Sequence, residues 1–234
     1  MRIDKFLANL KYGTRSEIKE MISEKKVMKT GVIITDPATI INPEDDVISV
    51  DNHIVFYEKT IYIMMNKPKG VVCANKDARY QTVIDLVKEP YSRFDLDICG
   101  RLDIDTEGLL ILTNDGNMLH QIISPKKSIS KVYEVTLAKP LFEYSKLEKG
   151  IKIKDGKDQL YITKPATITK LTDTVCQIAI TEGKFHQVKR MFEAIGNQVI
   201  NLKRVAIGGL KIEPSLVSGE YKKLSFADIQ AVFQ

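Results

Sequence analysis

Three carboxylates at alternate positions form the densest polar signal in this sequence. In Gly100-Arg101-Leu102-Asp103-Ile104-Asp105-Thr106-Glu107-Gly108 they stand directly before the apolar run Leu109-Leu110-Ile111-Leu112. In an extended chain that spacing places Asp103, Asp105 and Glu107 on one side, where their repulsion must be relieved by a cation, a protonated member or solvent. An isolated D-x-D-x-E is ordinarily a solvated turn, so a chemical role needs support from elsewhere in the chain. The spacing begins like a calcium loop, but Ile111 and Asn114 fall where the later ligands belong and a strand follows instead of a helix. A glycosidase could use two such acids, yet the chain has no Trp for a sugar platform. A metal-dependent hydrolase is a third reading of the same triplet.

The other candidate groups are basic and aromatic. Gly183-Lys184-Phe185-His186-Gln187-Val188-Lys189-Arg190-Met191-Phe192 reads as a helix over 185–195 that buries Val188, Met191, Phe192 and Ile195 and presents His186, Lys189, Arg190 and Glu193, with Gly196 ending it. Lys189 and Arg190 are successive, so they point about 100° apart. His53, His120 and His186 are scattered and form no metal cluster, and the three cysteines Cys73, Cys99 and Cys176 suggest neither a disulfide framework nor a zinc site.

The elements that must position these groups read as two blocks. Ile3, Phe6, Leu7 and Leu10 make one apolar helical stripe, and Thr14-Arg15-Ser16-Glu17 is a capping box opening a second helix. Short β-like pieces follow at 27–28, 32–34 and 47–50. Residues 1–30 carry eight basic side chains against four acidic ones, whereas 31–50 carry four acids and no Lys or Arg. A cationic face is therefore built early, and Arg2, Lys5, Tyr12, Thr14, Arg15, Lys19, Lys25, Lys26 and Lys29 are its candidate phosphate contacts. The expected boundaries are 1–50 for this module, 51–59 for a linker and 60–234 for a second domain. In that domain strands are expected at 61–65, 70–74, 95–99, 107–113, 131–138, 159–164, 174–181, 198–203 and 220–224, with helices near 81–88, 115–123, 141–148, 185–195 and 226–233. The succession predicts an α+β fold on a mainly antiparallel mixed sheet. Composition is that of an ordinary folded chain, 44% apolar and 28% charged with a net charge of +5. The longest aliphatic run falls far short of the roughly 20 residues a bilayer span needs, and the N-terminus lacks a signal-peptide core, so a cytoplasmic protein that makes no membrane contact is expected.

Four segments in register then carry a resemblance. Arg101-Leu102-Asp103 within G-R-L-D-x-D-T-x-G-L-L, Met65-Asn66-Lys67-Pro68-Lys69-Gly70, Lys131-Val132-Tyr133-Glu134-Val135 and the segment from Gly183 to Phe192 together resemble pseudouridine synthases of the ribosomal small-subunit type. The likeness runs almost continuously over 60–234, and the first 50 residues resemble an S4 domain, a small RNA-binding module. The resemblance implies isomerisation of a uridine to pseudouridine in small-subunit ribosomal RNA, without metal or cofactor. It makes Asp103 the catalytic carboxylate, attacking C1′ or abstracting a sugar proton before the freed uracil rotates and rejoins through C5. Tyr133 becomes the aromatic packing against the target base, Lys189 the partner that keeps the aspartate charged, and Leu202 the apolar floor. Arg101 would enter the stem in place of the flipped base, and Arg190 and His186 would contact RNA. Lys67 and Pro68 would be structural. The H-Q-V-K-R-M form at 186–191 looks closer to the small-subunit enzymes than to large-subunit relatives. The expected partner is small-subunit ribosomal RNA, free or in an assembly intermediate with ribosomal proteins, and the chain is expected to act as a monomer. The alternatives are a noncatalytic RNA-binding assembly factor, against which the presence of Asp103, Tyr133 and Lys189 argues, and a synthase acting on large-subunit ribosomal RNA.

Overall fold

A computed structural model describes residues 1–234, and the chain divides into two units, Met1–Ile61 with Val87–Leu96 and Tyr62–Leu86 with Asp97–Gln234. The first unit begins with α1 (Ile3–Asn9) and α2 (Arg15–Ser23), followed by β1 (Val27–Lys29), β2 (Val32–Ile33), β3 (Ile48–Val50) and β4 (His53–Ile54). The Thr14 hydroxyl accepts from the Glu17 amide while the Glu17 carboxylate accepts from the Thr14 amide, so the expected capping box is formed. Ile3, Phe6, Leu7 and Leu10 are buried on α1, which packs on α2, and Ile18 and Ile22 of α2 and Val27 of the small antiparallel sheet, whose order is β2-β1-β3-β4, are buried as well.

Residues 51–59 carry β4 and two rings of an aromatic cluster. Tyr57 meets Phe6 edge-on at 5.3 Å, and Phe56 meets Tyr91 and Phe94 at 5.6 and 6.0 Å. The partners Tyr91 and Phe94 come from Val87–Leu96, a stretch far along the chain. In the same unit the Arg93 guanidinium lies over the Tyr12 ring at 4.3 Å and Lys11 pairs with Asp95 at 3.1 Å.

The second unit is built on a nine-stranded sheet of β5 (Tyr62–Lys67), β6 (Asp97–Ile98), β7 (Glu107–Thr113), β8 (Lys131–Leu137), β11 (Thr167–Lys170), β12 (Val175–Ile180), β13 (Val199–Ile207), β14 (Leu210–Lys211) and β15 (Tyr221–Lys223). Between these lie α3 (Gly116–Ile123), α4 (Ser145–Lys149), the separate hairpin of β9 (Lys152–Lys154) and β10 (Leu160–Ile162), α5 (Gln187–Ala194) and α6 (Phe226–Gln230). The main path runs β11-β12-β8-β13-β7-β5-β15, and every pairing is antiparallel except β13 with β7, as an α+β chain with a mainly antiparallel mixed sheet requires. Strand β5 is buried at every position and β7 at six of seven, and Tyr62, Met64, Leu109 and Ile111 join the apolar cluster to which α3 and α6 contribute. Strands covered on both faces read as continuous apolar runs and lose the two-residue alternation.

Several expected elements differ. Residues 70–74 form no strand, only a bridge of Val72 to Thr82. Residues 81–88 form no helix: the Thr82 amide bonds the Asp85 carboxylate and the Asp85 amide the Thr82 hydroxyl, but this capping box closes only a turn before Pro90. Strand β13 runs four residues beyond its expected end, and β4, β9, β11 and β14 were not anticipated, being too short or too polar for a periodicity signal. No helix is long and apolar enough to cross a membrane.

Gly108, at the start of β7, has φ +106°, and a Cβ there would lie 2.2 Å from the Arg204 carbonyl oxygen across the parallel β7–β13 contact. Gly108→Ala is therefore expected to destabilise the chain by about 1–3 kcal/mol from backbone strain alone, with steric overlap added. Urea denaturation checks this, and an unchanged midpoint would refute the close approach.

Candidate active site

Asp103 sits in the turn just before β7, closed by the Thr106 amide donating to the Asp103 carbonyl at 3.1 Å. The three acids do not share one extended face. Asp103 and Asp105 point to a common cation, whereas Glu107 lies on the strand and accepts from the Asn201 amide at 3.1 Å. The cation is Lys189 of α5, whose ammonium stands 3.0 Å from Asp103 Oδ2 and 2.5 Å from Asp105 Oδ1. Repulsion between the first two acids is thus relieved by a shared lysine.

Helix α5 explains why it is Lys189 that reaches them. Val188, Met191 and Phe192 are buried, and so is Gln187, which the periodicity had not included; its amide donates to Glu182 at 2.6 Å and its carbonyl accepts from the Lys184 amide at 3.0 Å. This anchoring turns Lys189 toward the acidic turn and Arg190 away from it. Arg190 donates to the Lys154 carbonyl at 2.8 Å and borders a different groove, so it is not gathered with Asp103. His186, at the start of α5 with φ +53°, makes no capping bond with its side chain and instead sets Nε2 3.7 Å from Asp103 Oδ1.

Beneath the turn lies Lys67, the last residue of β5. Its side chain is fully buried, and its ammonium donates to the carbonyls of Pro68, Asp103 and Thr106 at 2.9, 3.1 and 2.9 Å. Burial pushes its pKa below the usual lysine value, opposed by Cys73 and the nearby acids. The resemblance marked Lys67 as structural, but its hold on the Asp103 backbone was not legible in the sequence.

Asp103 lines two connected features. A narrow recess of about 60 Å³ is walled by Arg101, Leu102, Tyr133, Ile180, Val188 and Leu202, with His186 and Gln187 at its edge. A cleft of about 880 Å³ is bordered by Arg101, Asp103, Asp105, Cys73, Ile123, Phe185 and His186, and its size lies in the range that admits a nucleoside. Tyr133, Leu202, Arg101 and His186 are therefore brought to Asp103; Arg101 is exposed, whereas Tyr133 and Leu202 are buried. No group of three or more His, Cys, Asp or Glu side chains is placed to hold a metal ion.

The basic candidates of the first unit are divided. Lys5, Arg15, Lys19 and Lys25 are exposed. Arg2 pairs with Asp4 at 2.8 Å, Lys26 with Glu24 at 2.7 Å and Lys29 with Asp46 at 2.9 Å, so part of their charge is locally balanced.

A carboxylate held by an ammonium thus lines a nucleoside-sized cleft in a chain that also carries a basic helical module. Residues 61–194 match the RNA pseudouridylate synthase family and residues 1–47 the S4 domain, so the chain belongs to the pseudouridine synthases that carry an N-terminal S4 domain. It is 44% identical to an uncharacterised RNA pseudouridine synthase of Bacillus subtilis, over 96% of this chain and 95% of that one. It is 40% identical to the ribosomal small subunit pseudouridine synthase A of Haemophilus influenzae, covering 98% of both chains, and 38% identical to that of Escherichia coli, covering 99% and 100%. A crystal structure of a pseudouridylate synthase superimposes with a TM-score of 0.70 at 38% identity over 99% of both chains.

Two outcomes follow from the lysines. Lys67→Met leaves three carbonyls without their donor and should cost about 1–3 kcal/mol for each one left buried and unpaired, read as a lowered denaturation midpoint; a neutral result would remove its role. For Lys189, burial lowers the pKa, but hydrogen bonds and charge from Asp105 and Asp103 outweigh it and hold it above 10.5; for Asp105, burial raises the pKa, but Lys189 outweighs it and holds it below 3.8. The raised lysine contributes fully below pH 10.5 and fades as pH rises through its folded value; the lowered acid contributes fully above pH 3.8 and fades as pH falls through its own. The stability difference between the wild type and Lys189→Met should accordingly be flat between these limits and shrink outside them. A steady slope through neutral pH would contradict the bridge.

Proposed function

We propose that this enzyme isomerises a uridine of small-subunit ribosomal RNA to pseudouridine with the carboxylate of Asp103. The observation that carries the reading is the geometry at that residue: an acid lining both the narrow recess and the nucleoside-sized cleft, bridged to Lys189 at 3.0 Å. The likeness over full length to ribosomal small subunit pseudouridine synthases of two bacteria supports the choice of RNA.

The flipped nucleoside enters from the cleft with its ribose at Asp103. The carboxylate attacks C1′ or removes a sugar proton, and the bond from C1′ to N1 breaks; the freed uracil turns and bonds C1′ through C5 as the Asp103–C1′ bond breaks or the sugar regains its proton, and C5 loses a proton to solvent while N1 gains one. Lys189 positions the carboxylate and balances its charge, while Lys67 fixes the backbone on which it stands. Tyr133 supplies a flat face for the uracil, worth roughly 1–3 kcal/mol by analogy with base stacking on exposed aromatics, and Leu202 closes the floor. Arg101, exposed at the mouth, occupies the gap left in the RNA stem and offsets part of the unstacking cost. The exposed Lys5, Arg15, Lys19 and Lys25 of the S4 module grip phosphates, with Arg2, Lys26 and Lys29 exchanging their carboxylate partners for RNA. The enzyme works as a monomer in the cytoplasm.

The test is incubation with a small-subunit ribosomal RNA transcript without metal or cofactor, followed by mapping of modified uridines. Conversion by the wild type is expected, and Asp103→Asn should abolish it while RNA affinity stays within a few-fold, since the amide keeps the shape and loses the nucleophile. Binding without conversion by the wild type would favour a noncatalytic assembly factor, and near-normal turnover by Asp103→Asn would remove Asp103 from the chemistry.

A further inference from the structure

Helix α4 and the hairpin β9–β10 together carry an excess of lysine that the active site does not use. Residues 146–164 contain six lysines (146, 149, 152, 154, 157 and 164) against three acids (148, 155 and 158), a net +3 in a chain whose total is +5. Within the hairpin Ile153 and Tyr161 face inward, joining the apolar cluster beneath α5, while Lys152, Lys154, Leu160 and Ile162 face solvent. The register sets Lys154 directly opposite Leu160 and Lys152 opposite Ile162, so the usual cross-strand arrangement of a cation facing an anion is absent.

The two acids of the loop offset the lysines only in part. Asp155 spends its carboxylate on the amides of Lys157 and Gln159 at 2.8 and 3.0 Å, which closes the tip. Asp158 stands 3.8 Å from Lys154 with both side chains largely exposed, a contact worth little in water. Lys152 and Lys157 pair with no carboxylate.

The hairpin is also fastened to the segment that faces Asp103. Arg190 donates to the Lys154 carbonyl at 2.8 Å, and the Lys184 ammonium sits over the Tyr161 ring at 3.4 Å from its centre. Gly156 at the tip approaches Phe185 so closely that a Cβ would meet its Cβ at 3.2 Å and its ring at 3.4 Å. Phe185 in turn borders the cleft and stacks on His186, with ring centres 3.7 Å apart. The tip of the hairpin therefore abuts the wall of the cleft, while Lys152 and Lys154 border the neighbouring groove with Asp158, Arg190 and Glu193.

The geometry points to β9–β10 as a second RNA-docking element, within the catalytic unit, that grips the phosphates flanking the target uridine through Lys152, Lys154 and Lys157. An RNA strand is favoured over a protein partner because lysines outnumber acids six to three over 146–164 and the hairpin tip abuts Phe185, which borders the cleft. The assignment rests on the reading of that cleft as the place where the target nucleoside enters.

The experiment compares the full-length wild type with Lys152→Gln/Lys154→Gln and with Leu160→Thr/Ile162→Thr, using a small-subunit ribosomal RNA transcript. The lysine variant should keep the wild-type melting temperature, lower the slope of log affinity against log salt by about two units, and raise KM roughly tenfold near physiological salt while kcat at saturating RNA stays within twofold. The aliphatic variant should keep the wild-type slope and KM. If the wild type converts no uridine, the reading of the cleft fails; if the wild type converts but the lysine variant keeps its KM and salt slope, the docking element is refuted. An effect seen only for the aliphatic variant, and only on protein-containing ribosomal particles, would equally overturn it in favour of a protein partner.

Discussion

The arrangement of the site depends on one ammonium held between two carboxylates. Asp103 and Asp105 are close in sequence, and without a cation between them their repulsion would push one out of the turn. Lys189 meets both, and because its charge is balanced twice over, it resists the burial that would otherwise favour its neutral form. A second lysine acts from below on the backbone alone: Lys67 donates to three carbonyls and touches neither carboxylate in the hydrogen-bond pattern. One lysine thus sets where the acidic side chains point, and the other sets where their main chain runs.

This division of labour follows from the sheet. Lys67 ends β5 and Glu107 begins β7, and the antiparallel pairing of these strands sets Lys67 opposite Gly108. The parallel contact of β7 with β13 closes the other side, where only a glycine fits against the Arg204 carbonyl. The acidic turn consequently sits where the sheet's one parallel strand pairing meets the antiparallel pairing of β5 with β7. Helix α5 adds its side chains from above, and successive positions of one helix serve different surfaces: Lys189 turns to the acids and Arg190 to the carbonyl of the β9–β10 hairpin.

The first unit shows how local charge tempers a basic surface. Its helices were legible because both carry strong short-range signals, the apolar stripe of α1 and the capping box of α2, and both formed as read. Which of its cations stand free was not legible. Asp4 and Glu24 lie near Arg2 and Lys26 in sequence and could have been suspected, but Asp46 reaches Lys29 across a strand pairing that no local pattern announces. The inclusion of Val87–Leu96 is a stronger case, since Tyr91, Arg93 and Phe94 find their ring partners more than thirty residues away.

By itself the sequence determined the α+β class, the capping box at Thr14 and the strongly periodic strands and helices, because these rest on periodicity and on short motifs in which each residue's neighbours are its causes. Strands β7, β8 and β12 and helices α3 and α5 fell within a residue or two of their expected positions. Tertiary structure decided which of the candidate site residues meet. Asp103 and Lys189 are 86 positions apart, Lys67 reaches the same turn from 36 positions away, and Arg190 is drawn off to a hairpin too polar to announce itself. Contacts of that range depend on strand order and register, which the whole chain settles at once by burying two apolar clusters, and no window of neighbouring residues contains that information.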